Sequence, residues 1–249
     1  MHISGFLRSA AAFASAVWLA AAGCFFADAA SAEPPGSPPN DSPRIALTFD
    51  DGPSSASTAK ILDLLEVNGA KATFFVIGRN IADHADVMLR AYRMGCEIGN
   101  HTYDHKKLSE LSADGILRQL DKTADAIEGI LGTRPALVRA PCGCCGKVLK
   151  VVTKSPVILW SIDTMDWSYA CQKNGNTKEN RDKVIRAVTE NARDGDIILM
   201  HDIYAFTAQC CEEIIPSLRA RGFELVTVSE LMQQGGITMQ SGCIYHNAR

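Results

Sequence analysis

Seven short and almost wholly apolar runs, separated by stretches with helical spacing or turn residues, constrain the fold of this 249-residue chain more than any other feature. They are Ile45–Phe49, Ala72–Ile77, Glu97–Gly99, Ala136–Arg139, Val157–Ile162, Ile197–Met200 and Glu224–Val228. Strands without polar alternation need cover on both faces, and crossover helices supply it. The intervening segments suit that role. Between Thr58 and Val67, the residues Ile61, Leu62, Leu64 and Leu65 make a broad apolar helical face, and Gly69 is placed to end it. From Ala113 to Leu131, Ile116, Leu120, Ala124, Ile127 and Leu131 recur at helical spacing. The pattern predicts a single α/β domain with about seven parallel strands in a distorted (β/α) barrel. An open doubly wound sheet is the alternative with the same periodicity.

Composition narrows the partners and the compartment. A hydrophobic fraction of 47% suits a chain that buries its own core. The net charge is -3 and no Lys/Arg run is present, which excludes a surface built to hold a nucleic-acid backbone. At the N-terminus, Arg8 precedes an alanine-rich apolar stretch from Ala10 to Phe26, and Ala30-Ser31-Ala32 follows as a small-residue cleavage site. Residues 1–32 therefore read as a signal peptide. A retained anchor and acylation at Cys24 are the alternatives, although the leucine expected three residues before such a cysteine is missing. A Pro-rich linker (33–43), a domain (44–232) and a C-terminal tail (233–249) follow. The mature protein is expected to be secreted or envelope-associated, without a membrane span, and monomeric. Removal of Cys24 from nine cysteines leaves eight. An exported protein can pair all of them, and sequence does not give the connectivity. Cys144-Cys145 and Cys210-Cys211 lack the Cys-x-x-Cys form of structural zinc sites.

Polar residues gather at or just beyond the C-terminal ends of the predicted strands: Asp50-Asp51, His101, Arg139, Asp163 with Asp166, and His201. In parallel α/β folds that rim is where active sites form. Two adjacent carboxylates cannot both enter an apolar core unpaired, so they face a polar cleft. His101 and His105, at i and i+4, can share one side of a helical turn and offer two imidazole nitrogens to one metal. Two imidazoles and a carboxylate suit a divalent borderline metal, zinc first and cobalt second, with coordination positions left open. Ser168 to Asn180 reads as a surface loop beside this rim that shapes substrate access. Phe74, Phe75 and Trp160 read most simply as core aromatics, and no role is assigned to His84 or His246.

Five ordered segments carry a resemblance: Thr48-Phe49-Asp50-Asp51-Gly52-Pro53, His101-Thr102-Tyr103-Asp104-His105, Arg139-Ala140-Pro141-Cys142, Asp163-Thr164-Met165-Asp166-Trp167 and Leu199-Met200-His201. Together they resemble the polysaccharide deacetylase family, the carbohydrate esterases that share the NodB homology domain. The resemblance implies that Asp51, His101 and His105 bind the metal and that Asp50 is the general base, with Arg139 orienting it and balancing its charge. It implies that His201 is the general acid, tuned by Asp166. Trp167 and Leu199 would wall a pocket for the acetyl methyl group, and the Cys142 backbone N–H would help to stabilise the oxyanion. Cys142 departs from the family, in which an aromatic residue is usual at this position. The implied activity is metal-dependent removal of N-acetyl groups from N-acetylglucosamine units of a polysaccharide, peptidoglycan first. Chitin oligomers, acetylated xylan, and a wall-binding protein without turnover are the alternatives.

Overall fold

The computed structural model describes residues 42–249, so the expected signal peptide and all but the last two residues of the expected linker lie outside the described residues. Strand β1 (Arg44–Asp50) is the centre of the sheet. It pairs in parallel with β2 (Thr73–Val76), β6 (Ile197–His201) and β7 (Glu224–Leu225). β3 (Glu97–Asn100) extends the sheet beyond β2, and β5 (Ile162–Asp163) extends it beyond β6, giving the order β3-β2-β1-β6-β5. From β3 the arc continues through single bridges, Asn100 to Val138 and Val138 to Val157, into β4 (Val157–Ile158). β4 and β5 are consecutive in the chain, so the arc bends back toward its own start as a distorted barrel.

The expected runs differ from these strands at three places, each with a local cause. Ala136–Arg139 contributes only the Val138 bridges, because Pro135 and Pro141 flank it and neither can donate to a ladder. Val157–Ile162 splits in two because the carbonyls of Ile158 and Leu159 turn to the Arg139 guanidinium, at 3.1 Å each. Glu224–Val228 stops at Leu225 because Thr227 caps α8 (Val228–Gln234), with Glu230 completing a capping box. An eighth strand, β8 (Ile244–Tyr245), lies within the stretch expected as a tail and pairs in parallel with β4.

Helices cover the sheet, and α1 and α3 lie where the periodicity placed them. α1 (Ser57–Val67) buries Ile61, Leu62 and Leu65. α2 (Ala85–Arg93) packs beside it. α3 (Ala113–Leu131) begins at Ser112, whose side chain accepts the Gly115 N–H, and ends at Gly132 in the left-handed region, φ 72°. α4 (Gly146–Val152) precedes β4, and α5 (Asp166–Ala170) shortens the loop expected over 168–180. α6 (Lys178–Thr189) and α7 (Ala205–Ala220) close the other side. The alternation of β1 then positions the site. Ile45, Leu47 and Phe49 join the main core, Ala46 packs in a second cluster with Phe75, Leu137, Ile158 and Ile197, and Asp50 ends the same side of the strand as Ala46.

The last residues are tied to this frame. Val157 and Leu159 donate to the carbonyls of Cys243 and Tyr245, and Ala248 donates to Gly195, all at 2.8 Å. Three backbone bonds at about 1 kcal/mol each give about 3 kcal/mol. Truncation after Gly236 is therefore expected to lower Tm by roughly 6–12 °C in a domain of this size, read by circular dichroism. An unchanged Tm would show that the segment adds nothing to the fold.

Candidate active site

The ends of β1 and β6 lie side by side, with Asp50 and His201 as register partners. Beyond Asp50 the chain turns at once: Asp51 has φ 75°, and a Cβ on the next residue, Gly52, would collide with the Asp202 carboxylate. Asp202 is fully buried and accepts from Thr58 Oγ1 at 2.5 Å, while Thr58 Oγ1 accepts the Ser54 N–H at 2.8 Å, so this side chain braces the turn that carries Asp51. Burial, together with Asp51 and Asp50, pushes the Asp202 carboxyl up to about 7. Asp202 ends the run Gly195–Asp202 in the sequence, but its role as a brace is not legible there, because its partners lie on other elements.

His101 and His105 do not share a helical turn. They stand on the loop after β3, where Thr102 (φ 69°) and His105 (φ 60°) adopt left-handed backbone. Side chains hold this shape: Asn100 Oδ1 accepts the Thr102 N–H at 2.9 Å, and Gln119 Oε1, reaching from α3, accepts the N–H groups of Tyr103 and Asp104 at 2.9 and 3.2 Å. The doubled-back loop brings His105 Nε2 within 3.2 Å and His101 Nε2 within 3.5 Å of Asp51 Oδ1. Ligand atoms of the three residues all lie within 4.8 Å of one another.

This donor set fits a divalent cation. Asp51 Oδ1 is buried and has no hydrogen-bond partner. His101 Nδ1 is 2.9 Å from the Arg139 carbonyl, which can only accept, so Nδ1 carries the proton and Nε2 keeps its lone pair for a metal. The three groups match the expected ligands in type and proximity. Among the described residues no cysteine joins a metal-ligand group, and all eight cysteines are free thiols.

Asp50 and Asp51 differ sharply in their surroundings. Asp50 is 4% exposed, and its Oδ1 accepts from Arg139 Nη1 at 2.7 Å. Arg139 has no exposed surface. Its other donors go to Thr48 Oγ1 (2.8 Å), Ile158 O and Leu159 O, and its guanidinium lies 4.1 Å over the Phe75 ring. Phe75 is thus a core aromatic, as expected, and also the floor of this ion pair. Breaking such a buried pair costs about 3–5 kcal/mol.

Across the cleft, His201 Nδ1 is 2.8 Å from Asp166 Oδ1. Asp166 is fully buried, and its Oδ2 accepts the His201 N–H at 2.8 Å and the Thr207 hydroxyl at 2.6 Å. Burial alone would lower the imidazole, but the Asp166 hydrogen bond and charge, with Asp50 and Asp51, push His201 up to about 9. Asp50, Asp51, His101, His105 and His201 line one cavity of about 320 Å³, with Cys142, Trp167 and Leu199 on its walls. Trp167 is 42% exposed and Leu199 3%. Trp160, Asp163 and Tyr204 line it as well. Trp160 is therefore a wall rather than a simple core aromatic, and Tyr204 carried no sequence signal beyond lying three residues after His201.

Residues 37–156 match the family model described as "Polysaccharide deacetylase". The chain is 41% identical over 187 residues to a peptidoglycan-N-acetylmuramic acid deacetylase, PdaC, of Bacillus subtilis, covering 75% of this chain and 38% of that protein. It is 38% identical over 188 residues to a peptidoglycan-N-acetylglucosamine deacetylase, PgdA, of Listeria monocytogenes, covering 76% of this chain and again 38% of the relative. A solved structure of the B. subtilis PdaC is 39% identical, with TM-score 0.74, and the match covers 80% of this chain and 94% of that one. The chain belongs to the polysaccharide deacetylase family. The chain spans about 38% of the length of the two curated relatives. The Asp-His-His group found here is typical of the divalent metal site of polysaccharide deacetylases, and a Clostridium thermocellum family 4 acetyl xylan esterase of this fold (31% identity, TM-score 0.74, covering 82% of this chain and 98% of that one) is a cobalt complex.

Because the folded His201 value lies above the ordinary imidazole value of ~6.5, the pair with Asp166 stabilises the fold fully below that value and loses the contribution as pH rises through about 9. Asp166→Asn is expected to move the His201 midpoint in NMR toward ~6.5 and to lower Tm more at pH 6 than at pH 10. A midpoint that stays near 9 would mean that Asp166 does not set it.

Proposed function

We propose that this polysaccharide deacetylase family member removes N-acetyl groups from N-acetylglucosamine units of a polysaccharide, with peptidoglycan as the polymer and acetate as the product. Asp51, His101 and His105 would hold the metal, zinc first and cobalt second. A bound divalent ion supplies Lewis acidity, polarising a carbonyl oxygen and acidifying water. Asp50 takes the proton of the attacking water through Oδ2, since Oδ1 is held by Arg139. Arg139 holds Asp50 in place through its Oδ1. His201, whose Nδ1 is engaged by Asp166, delivers a proton from Nε2 to the departing amine nitrogen. The Cys142 N–H is the oxyanion donor, a role that survives any side chain at that position, and Trp167 with Leu199 encloses the acetyl methyl group.

The observation that carries this reading is the convergence in one cavity of a carboxylate held by Arg139, an imidazole held by Asp166 and the Asp51-His101-His105 group. The names of the relatives support peptidoglycan, although one names N-acetylmuramic acid and the other N-acetylglucosamine. The signal-like segment at residues 1–32 supports secretion or envelope association. Among the described residues no helix is long and apolar enough to cross a membrane.

Zinc-loaded mature protein is expected to release acetate from peptidoglycan and from N-acetylglucosamine oligomers, and metal-stripped protein is not. Asp50→Asn is expected to keep zinc and lose about 10²–10⁴-fold in turnover, whereas His101→Ala loses the zinc as well. Near-normal turnover in Asp50→Asn would remove the base assignment. Zinc-loaded protein that is silent on both amides but active on acetylated xylan would reassign the reaction to ester hydrolysis, and silence on all three would leave a wall-binding protein.

A further inference from the structure

Tyr204 lines two recesses at once. One is the catalytic cavity, and the other is a polar groove of about 620 Å³ between residues 170–177 and the start of α7. Gln172, Lys173, Asn174, Asn176 and Thr177 line the groove with Tyr204. Its size is in the range of small-ligand sites.

The loop that presents these side chains is fixed by its own bonds. Gly175 N donates to Gln172 O at 3.0 Å, and the Gly175 carbonyl accepts from Thr177 N and Asn180 Nδ2, both at 2.9 Å. A Cβ on Gly175 would collide with the Tyr169 carbonyl, so the backbone is packed down tightly at this point. Asn176 is engaged at both ends, giving Nδ2 to Gln209 Oε1 at 3.1 Å and accepting from Arg181, and Thr177 Oγ1 accepts the Asn180 N–H at 3.2 Å, so the free groups lie on residues 172–174. Gln172 gives Nε2 to Ser168 O at 3.0 Å and keeps Oε1, and Lys173 and Asn174 have no side-chain hydrogen bond among the described residues. The lysines of the adjacent helix contrast with this: Lys178 pairs with Asp182 and Lys183 with Glu179, while Lys173 has no carboxylate partner among the described residues. Uncommitted amides suit sugar hydroxyls, and an unpaired ammonium suits a carboxylate.

We infer that this groove is a subsite for the glycan beside the sugar in the catalytic cavity, and that Lys173 selects strands bearing a carboxylate there over neutral ones. The inference deepens the deacetylase reading and rests on it. The carboxylate has two sources in peptidoglycan, the lactyl ether of muramic acid or a peptide stem.

Calorimetric binding to zinc-loaded Asp50→Asn protein, in which turnover does not interfere, separates them. The probes are three oligomers of equal length: a neutral N-acetylglucosamine oligomer, a stem-free glycan with lactyl carboxylates, and a glycan whose lactyl groups are amidated to peptide stems. At least one charged oligomer is expected to bind about 3–10-fold tighter than the neutral one, with the preference shrinking at high salt. Adding Lys173→Gln should erase the preference without weakening the neutral oligomer, and Lys173→Arg should keep most of it. Preference for the lactyl oligomer alone places the carboxylate on the sugar, and for the stem-bearing one alone on the peptide. Equal binding of all three, a preference that survives Lys173→Gln, or no binding at all would overturn the subsite. Acetate release by the wild-type protein decides the deacetylase reading separately.

Discussion

The buried pair between Arg139 and Asp50 organises the rest of this protein. A guanidinium without exposed surface must find an acceptor for its donors, because an unpaired buried cation is prohibitively costly. Arg139 finds them on β1, through Thr48 and Asp50, and between β4 and β5, through the carbonyls of Ile158 and Leu159. Its backbone reaches β3 as well: Arg139 N donates to Asn100 O at 2.9 Å, and Arg139 O accepts from His101 Nδ1. One residue thus joins three parts of the barrel and fixes both the proposed base and one imidazole of the Asp-His-His group. The pair is not a source of net stability, since desolvation consumes much of its Coulombic gain. What it contributes is geometry.

That geometry divides the work between neighbouring carboxylates. Asp50 is the last residue of a strand and shares the barrel interior with a fixed cation; Asp51 is the first residue of a turn and has a buried oxygen without a partner. Across the cleft Asp166 treats His201 as Arg139 treats Asp50, holding one atom of the group so that the other is presented to the cavity. A divalent ion beside Asp51 would offset part of the negative charge that raises His201, so occupancy of the site and the proton affinity of His201 are coupled.

Features determined within a few residues were legible in the sequence. Helix α3 runs from Ala113 to Leu131, as its periodicity required, because Ser112 and Gly132 terminate it locally. The rim of polar residues at strand ends was legible for a similar reason, since side-chain direction in a strand follows from the pleat. Features determined at a distance were not. The break between β4 and β5 comes from Arg139, about 20 residues earlier, and the His101–His105 loop takes a non-helical path because Asn100 and Gln119 occupy its N–H groups. Tyr204 carried no signal, Trp160 read as a core aromatic, and Asp202 stood in the run after Leu199 without a role, because the neighbours of all three are supplied by other elements. The loop that carries Lys173 read as lying beside the rim, but only the fold sets its groove against Tyr204.

The chemistry proposed for this cleft requires Asp51, His101 and His105 to hold one divalent ion, with Asp50 Oδ1 engaged by Arg139 at 2.7 Å and Asp50 Oδ2 3.6 Å from His101 Nε2. X-ray absorption on the zinc-loaded protein tests this directly. The expected result is one zinc per chain with two imidazole ligands, oxygen or nitrogen scatterers at roughly 2.0–2.2 Å and no sulfur. A sulfur scatterer near 2.3 Å would place a thiol, with Cys142 lining the cavity, in the coordination sphere and contradict the assignment.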